Sequence, residues 1–350
     1  MIVFCHLRWQ FVYQRPQHII SRLSKNLKIL MVEEPIGFNE SNHFTADIQI
    51  VNPNLHILQP HVDHISEISN VLPKYVANKS IKIGWFYSAA FMPVLKNLNF
   101  DTVVYDCMDE LSLFKGAPQS LIDLEKELLE KADIVFTGGK SLYAAKEQLH
   151  DNVFCFPSSV DQKHFAQALN GIDVAPDIAN IASPIVGYYG VIDERINLEL
   201  LKETAEMLPE VSFVMIGPLA KINDQDLPHL SNIHYLGMKT YEELPAYLKA
   251  FDIAMMPFAL NDATKFISPT KTLEYMAAEK PIISTRIVDV ERDYAHCVDI
   301  VEDAEEFCNA IINWKLRGFN KQEEYQTILN NTSWQKTAEK MQSIIKNFQR

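Results

Sequence analysis

Short apolar runs recur along the chain, with polar, helical-looking stretches between them. In the first half they fall at 2–7, 29–32, 81–86, 102–106, 134–137 and 153–156. In the second half they fall at 185–189, 211–217, 233–237, 253–256, 281–284 and 299–301. Each run has the length of a strand buried on both faces, and the spacing leaves room for crossover helices. Helical periodicity is clearest at 17–26 and at 119–131, where Leu121, Leu124, Leu128 and Leu129 share a face. Further helical stretches at 198–207, 241–250, 270–278 and 304–315 alternate with the second series of strands. The pattern loosens at 170–177, and an amphipathic segment at 334–348 predicts a closing helix. Two successive βα series predict an α/β fold with two doubly wound domains, whose ligands sit at the carboxyl ends of the strands.

Composition narrows the partners. A chain of 350 residues is long for one core, which agrees with two domains. Its formal net charge of -13 argues against a nucleic-acid partner, whose binding proteins carry a basic footprint. The cysteines (Cys5, Cys107, Cys155, Cys297 and Cys308) never stand in a C-x-x-C spacing, so they suggest a reducing compartment and offer no metal framework. The apolar start at 1–7 is too short for a signal peptide, and the longest apolar run, 251–260, is interrupted by Asp252 and Pro257. A cytoplasmic protein is the expectation.

The stretch most suggestive of chemistry is Ser268-Pro269-Thr270-Lys271-Thr272-Leu273-Glu274-Tyr275. Serine followed by proline predicts a helix start, with the Ser268 side chain as cap and Pro269 at the first helical position. Lys271 then falls beside unpaired backbone N–H groups, a setting for a phosphate. Glu274, one turn on, suits the hydroxyls of a ribose. The plainer reading is an exposed Lys271–Glu274 pair on an ordinary helix.

The second half resembles, in order, the nucleotide-sugar domain of retaining GT-B glycosyltransferases, especially glycosyltransferase family 4. The resemblance is carried by Gly187-Tyr188-Tyr189-Gly190-Val191-Ile192, by Val211 to Pro218 with its Gly217-Pro218 turn, and by Ile233 to Gly237. Asp252 to Phe258 and Pro269 to Pro281 complete it. More loosely, Phe156-Pro157-Ser158-Ser159-Val160-Asp161 stands where the family has Pro-Asn-Gly-Val-Asp. Gln14-Arg15-Pro16-Gln17-His18 is similar to an acceptor-side loop of polysaccharide-building members. The family's two glutamates eight positions apart are here Phe266 and Glu274. Val191 replaces the usual arginine, Arg195 sits one position ahead of the usual lysine, and Glu279 replaces the glycine that ends the donor helix.

The resemblance implies a GT-B fold, with two Rossmann-like domains facing across a cleft. Residues 1–170 would be the acceptor side, 171–330 the nucleotide-sugar side, and 331–350 a helix crossing back. It implies transfer of a sugar, with retention, from a nucleoside diphosphate donor, UDP being favoured. The acceptor would be a glycan or a lipid-linked glycan, bringing peripheral membrane association. The donor would meet Gly190, Arg195, Gly217, Pro218, Met238, Ser268, Pro269, Thr270, Lys271 and Glu274. Lys271 and Arg195, with Lys265 as a further candidate, would supply the positive charge that the departing diphosphate needs, so no metal or other cofactor is expected. Two other readings stay open: a non-hydrolysing nucleotide-sugar epimerase, and a glycosyltransferase-like subunit that binds without turnover.

In the first half, Asp106 and Asp109 follow an apolar strand and would orient acceptor hydroxyls or stabilise an oxocarbenium ion; otherwise one caps a helix and the other is solvated. Arg15 and His18 suit an acceptor's anionic or hydroxyl groups, although a histidine there equally suits packing. Trp85, with Phe86 and Tyr87, either stacks on a sugar or belongs to the core. His56, His61, Asp63 and His64 lack a standard metal-ligand spacing. Asp224-Gln225-Asp226 imitates a metal-binding Asp-x-Asp but reads as a surface loop.

Overall fold

The computed structural model describes residues 1–37, 43–76 and 81–348. It divides into two compact units, Met1–Pro157 with Trp334–Arg350, and Ser158–Ser333. The chain first passes between units ahead of residue 170, because Val160, Phe165 and Ala168 already pack into the second core.

The first unit is built on an eight-stranded sheet. Its strands are β1 (Ile2–Cys5), β2 (Ile29–Glu33), β3 (Thr45–Asn52), β4 (Leu55–His61), β5 (Ile83–Phe86), β6 (Thr102–Cys107), β7 (Ile134–Thr137) and β8 (Val153–Cys155). The order is β3-β4-β2-β1-β5-β6-β7-β8, parallel throughout except for the antiparallel β3–β4 pair. Strands β1, β5, β6 and β7 are buried along their whole length, which is why each reads as a near-continuous apolar run, broken in β6 by Asp106. The helix Trp334–Phe348 places Trp334, Ala338, Met341 and Ile345 in one stripe, in the same core as Ile19, Ile20 and Leu23 of the helix Arg15–Leu23. At the sheet's edge, the hydroxyl of Tyr75 accepts from the Ala46 amide at 2.9 Å and reaches the Ala46 carbonyl at 3.2 Å.

The second unit carries a six-stranded parallel sheet. Its strands are β9 (Ile185–Tyr189), β10 (Ser212–Ile216), β11 (Ile233–Tyr235), β12 (Ile253–Met256), β13 (Ile282–Thr285) and β14 (Asp299–Val301). The order is β11-β10-β9-β12-β13-β14. Strand order therefore reverses between β9 and β12, and the loops leaving these two strands diverge, as at the ligand-binding crevices of doubly wound sheets. The expected helix at 241–250 begins as a 3-10 turn, Tyr241–Glu243, and becomes α-helical at Leu244–Ala250, with Pro245 in its first turn.

Candidate functional site

In the second unit, three glycines are stitched together where the strands end. Gly190 follows β9 with φ +141°, Gly217 follows β10 with φ +147°, and Gly237 follows β11 with φ +69°. The Gly190 amide donates to the Ile216 carbonyl at 2.8 Å, and the Gly217 amide donates to the Gly237 carbonyl at 2.9 Å. A Cβ on Gly217 would lie 1.8 Å from the Gly190 carbonyl oxygen, so backbone packs on backbone here. A Cβ on Gly190 would lie 2.3 Å from Lys271 Cε and 2.7 Å from its Nζ. Both glycines thus need a conformation that L side chains rarely adopt and a space already filled.

Lys271 reaches this point because of how its helix is docked. The helix Lys271–Ala277 puts Lys271, Glu274 and Tyr275 on one face, at i, i+3 and i+4. The Tyr275 hydroxyl accepts from the Tyr189 amide at 3.3 Å, and the Tyr189 hydroxyl donates to Glu274 Oε2 at 2.9 Å. Tyr189 packs edge-on against Tyr275 and parallel to Phe165. The helix is therefore held against the end of β9, and the Lys271 ammonium lies 5.5 Å from the centre of the Tyr188 ring. Burial raises the pKa of Glu274 above the ordinary carboxylate value, against the opposing pull of Lys271.

The start of this helix differs from expectation. Ser268 and Pro269 precede it, Thr270 is the N-cap residue, and none of the three provides a side-chain cap. The Ser158 hydroxyl instead donates to the Ser268 carbonyl, fixing the segment before the helix. The end of the helix explains an oddity of the sequence. The Lys280 amide donates to the Tyr275 carbonyl and the Glu279 amide to the Met276 carbonyl, a Schellman closure with Glu279 at φ +50°. Glu279 holds a backbone conformation that suits glycine, although it is not one.

The loop after β9 is pinned on both flanks, by a bridge between Ile192 and Leu219 and another between Ile196 and Phe258. Within it, Asp193 grips Arg195. Nε of Arg195 donates to Asp193 Oδ1 at 3.0 Å, Nη2 donates to Oδ2 at 2.7 Å, and the Arg195 amide donates to Oδ1 at 2.9 Å. Pro218 lies in the bridged loop, its carbonyl accepting from the Ile192 amide at 3.0 Å. Met238 and Lys265 are exposed, with the Lys265 ammonium over the Phe266 ring. The Asp224–Asp226 segment is a 3-10 turn in which the Asp226 carboxylate accepts from the Asn223 amide at 2.8 Å.

The first-unit candidates are mostly taken up by packing. Arg15 and Asp106 form a buried pair, with Nη2–Oδ1 2.9 Å and Nε–Oδ1 3.1 Å, and Arg15 Nη1 donates to the Phe156 carbonyl at 2.7 Å. Burial raises the pKa of Asp106 and Arg15 opposes it, so the carboxylate is held by the arginine and does not stand open to an acceptor hydroxyl. His18 is buried, stacked on Trp334 with centroids 4.7 Å apart, and so serves the contact between two helices. Trp85, Phe86 and Tyr87 are all buried; Trp85 packs on Phe136 and Tyr87, and Phe86 on Phe4. These aromatics are core. Asp109 is half-buried in the loop after β6. His61 pairs with Asp47 at 3.1 Å, and no group of three or more His, Cys, Asp or Glu placed to hold a metal exists among the described residues.

Several organising contacts carried no signal in the sequence. Gln17 Nε2 donates to the carbonyls of Trp9 and Val12, both at 3.2 Å, and so shapes the loop after β1. Glu33 accepts from the Trp9 amide at 2.6 Å and from Gln59 at 2.7 Å. Lys146 bridges Glu110 at 2.7 Å and Glu125 at 2.8 Å.

Residues 183–314, which contain Gly190, Gly217 and the Lys271 helix, match the family model described as glycosyl transferases group 1. Over that stretch the chain is similar to the group 1 glycosyltransferases. The chain is 26% identical over 250 residues to the putative teichuronic acid biosynthesis glycosyltransferase TuaH of Bacillus subtilis, across 66% of its length. The match spans 60% of the length of TuaH. Among solved structures, the sucrose-phosphate synthase of Thermosynechococcus elongatus superposes with a TM-score of 0.76 at 15% identity, covering 99% of this chain and 98% of that one. The UDP-forming α,α-trehalose-phosphate synthase of Burkholderia vietnamiensis gives 0.73 at 11% identity, over 99% of both chains. Anabaena Alr3699/HepE, solved with UDP and glucose, gives 0.72 at 12% identity, also over 99% of both. These likenesses establish the fold, which is GT-B.

Proposed function

We propose that this protein moves a sugar from a nucleoside diphosphate, UDP being favoured, to a glycan or lipid-linked acceptor, with retention, in the building of a polysaccharide. The observation that carries the reading is Lys271 laid across Gly190, with Gly217 packed beneath. A cation and a side-chain-free backbone surface meet there at the strand ends of a doubly wound sheet. The kinship with TuaH, named for teichuronic acid biosynthesis, supports the polysaccharide setting. The second unit binds the donor, through the residues from Gly190 to Glu274 described above, and the first unit serves the acceptor.

In the reaction the bond from the anomeric carbon to the diphosphate oxygen breaks, and an acceptor hydroxyl oxygen bonds to that carbon. The acceptor's proton leaves with the diphosphate. Negative charge grows on the departing diphosphate, and Lys271 and Arg195 oppose it from preset positions. Glu274 holds the ribose, its carboxylate steadied by Tyr189. No helix among the described residues is long and apolar enough to cross a membrane, so a lipid-linked acceptor would be met at the bilayer surface.

The test is a panel of UDP-, GDP- and ADP-sugars, with release of the nucleotide followed with and without acceptor glycans. Release that depends on acceptor is the expected result. Donor binding without release would show a binding subunit, and interconversion of the sugar without acceptor would show an epimerase.

A further inference from the structure

Lys271 and Arg195 are held by different means, and the difference assigns a role to a residue that the family pattern does not mark. Lys271 is placed by packing, through the docked helix and the Tyr188 ring. Arg195 sits on a loop, and loop side chains are usually the least ordered part of a site. Here the loop is bridged to both neighbours, and the Ile196 amide donates to the Asp193 carbonyl at 2.9 Å, closing a tight turn over residues 193–196. Inside that turn Asp193 receives the backbone amide and one edge of the guanidinium of Arg195. A guanidinium is flat and its donors are fixed, so holding the Nε–Nη2 edge sets the direction of the remaining edge. The same loop carries the Val191 carbonyl that accepts from the Tyr188 hydroxyl at 3.0 Å. The Arg195 charge also acts on the Tyr188 phenol, and the Lys271 ammonium lies 5.5 Å from the centre of that same ring.

The geometry points to Asp193 as a positioning residue that aims Arg195 at the donor diphosphate, in place of the arginine that Val191 lacks. This rests on the glycosyltransferase reading above. It has an unusual sign. A carboxylate near a diphosphate repels it, so Asp193 weakens ground-state nucleotide binding while it orders the cation needed as the bond breaks. An aspartate that merely balanced a surface charge would show only the first effect.

The experiment compares wild type, Asp193→Asn, Arg195→Ala and the double variant, with nucleotide affinity by calorimetry and turnover by nucleotide release. Asp193→Asn is expected to bind UDP as well as or better than wild type while kcat falls about 10- to 100-fold. Arg195→Ala is expected to lose about 100-fold or more in kcat. In the Arg195→Ala background, Asp193→Asn should cost nothing further, because its effect passes through the arginine. Arg195→Lys keeps the charge but not the two-point grip, and should reproduce the kcat loss with UDP affinity retained even if Asp193→Asn fails to fold. An unchanged kcat in Asp193→Asn or Arg195→Lys would overturn the assignment, as would equal losses from Asp193→Asn with and without Arg195. Wild-type protein that binds no sugar nucleotide would instead overturn the glycosyltransferase reading itself.

Discussion

Each unit carries an arginine–aspartate pair at the loop end of its sheet, and the two pairs have opposite lives. In the first unit the Arg15 and Asp106 side chains are 6% and 0% exposed; in the second, those of Arg195 and Asp193 are 24% and 8% exposed. Arg15 also spends an N–H on the Phe156 carbonyl, so its pair ties the first helix to the segment after β8. The Arg195 side chain is gripped from within its own loop, by an aspartate two residues away. One chemistry thus acts as a sealed strut between distant segments in the first unit and as a partly exposed clamp within a single loop in the second. The lesson is that residue type does not distinguish the two uses; the path of the chain around the pair does.

The strongest way to break this comparison is to remove one aspartate from each pair. Asp106→Ala leaves an uncompensated buried arginine and is expected to cost about 3–5 kcal/mol in urea denaturation. The double change Arg15→Met with Asp106→Leu should recover most of that loss, because neither charge is then stranded. Asp193→Ala should cost less, about 1–2 kcal/mol, because the partly exposed Arg195 keeps access to water when its buried partner is lost. Equal losses at the two sites would end the distinction between strut and clamp.

Gly217→Ala comes next. A methyl group 1.8 Å from the Gly190 carbonyl oxygen, at φ +147°, forces the two loops apart. We expect a loss of about 2–3 kcal/mol in thermal melting, together with loss of nucleotide binding in titration. A variant that melts lower but binds UDP normally would separate the glycine contact from the site.

Glu274 asks whether burial, and not the unit, governs these charges. Its folded pKa lies above the ordinary 4.5 because burial disfavours the carboxylate, so the folded state keeps its proton to higher pH than the unfolded chain. That share of stability is complete below about pH 4.5 and is lost as the pH rises through the folded value. Glu274→Gln should therefore be more stable than wild type at neutral pH, with the gap closing in acid, as melts across pH 4–7 would show. It should also bind the donor less well, if the carboxylate holds the ribose.

The smallest effect is expected at Glu279. A glycine there meets φ +50° without strain but has more freedom to lose on folding. Glu279→Gly should gain about 0.5–1 kcal/mol in denaturation and leave turnover unchanged. A loss would mean that the Glu279 side chain contributes more than its backbone costs.

The sequence made the strands of both sheets legible except for β3 and β4, and the reason is physical. Parallel strands buried on both faces read as apolar runs, whereas β3 (TADIQIVN) is largely exposed and β4 carries His56, Gln59, Pro60 and His61. The glycine turns and Lys271 were legible because their order along the chain is itself a pattern. His18 was not, since its role depends on Trp334 at the far end of the chain. Asp106 likewise reads as a site carboxylate until Arg15, brought from 91 positions away, is seen to occupy it. Asp193 was overlooked for the opposite reason: its partner is only two residues off, but an Asp-Glu-Arg tripeptide gives no hint that the loop folds back.

One consequence concerns the protein as a material. Strand β3 ends its sheet, and among its residues Ile48 and Ile50 are 46% and 68% exposed. A bare strand margin recruits strands from other molecules, and apolar side chains along it strengthen that recruitment. The Tyr75 hydroxyl occupies both backbone groups of Ala46 and so blocks one rung of this margin. Concentrated stocks should therefore depend on a single phenol: Tyr75→Phe would clump at concentrations where wild type stays clear, and Ile50→Lys would remain monodisperse.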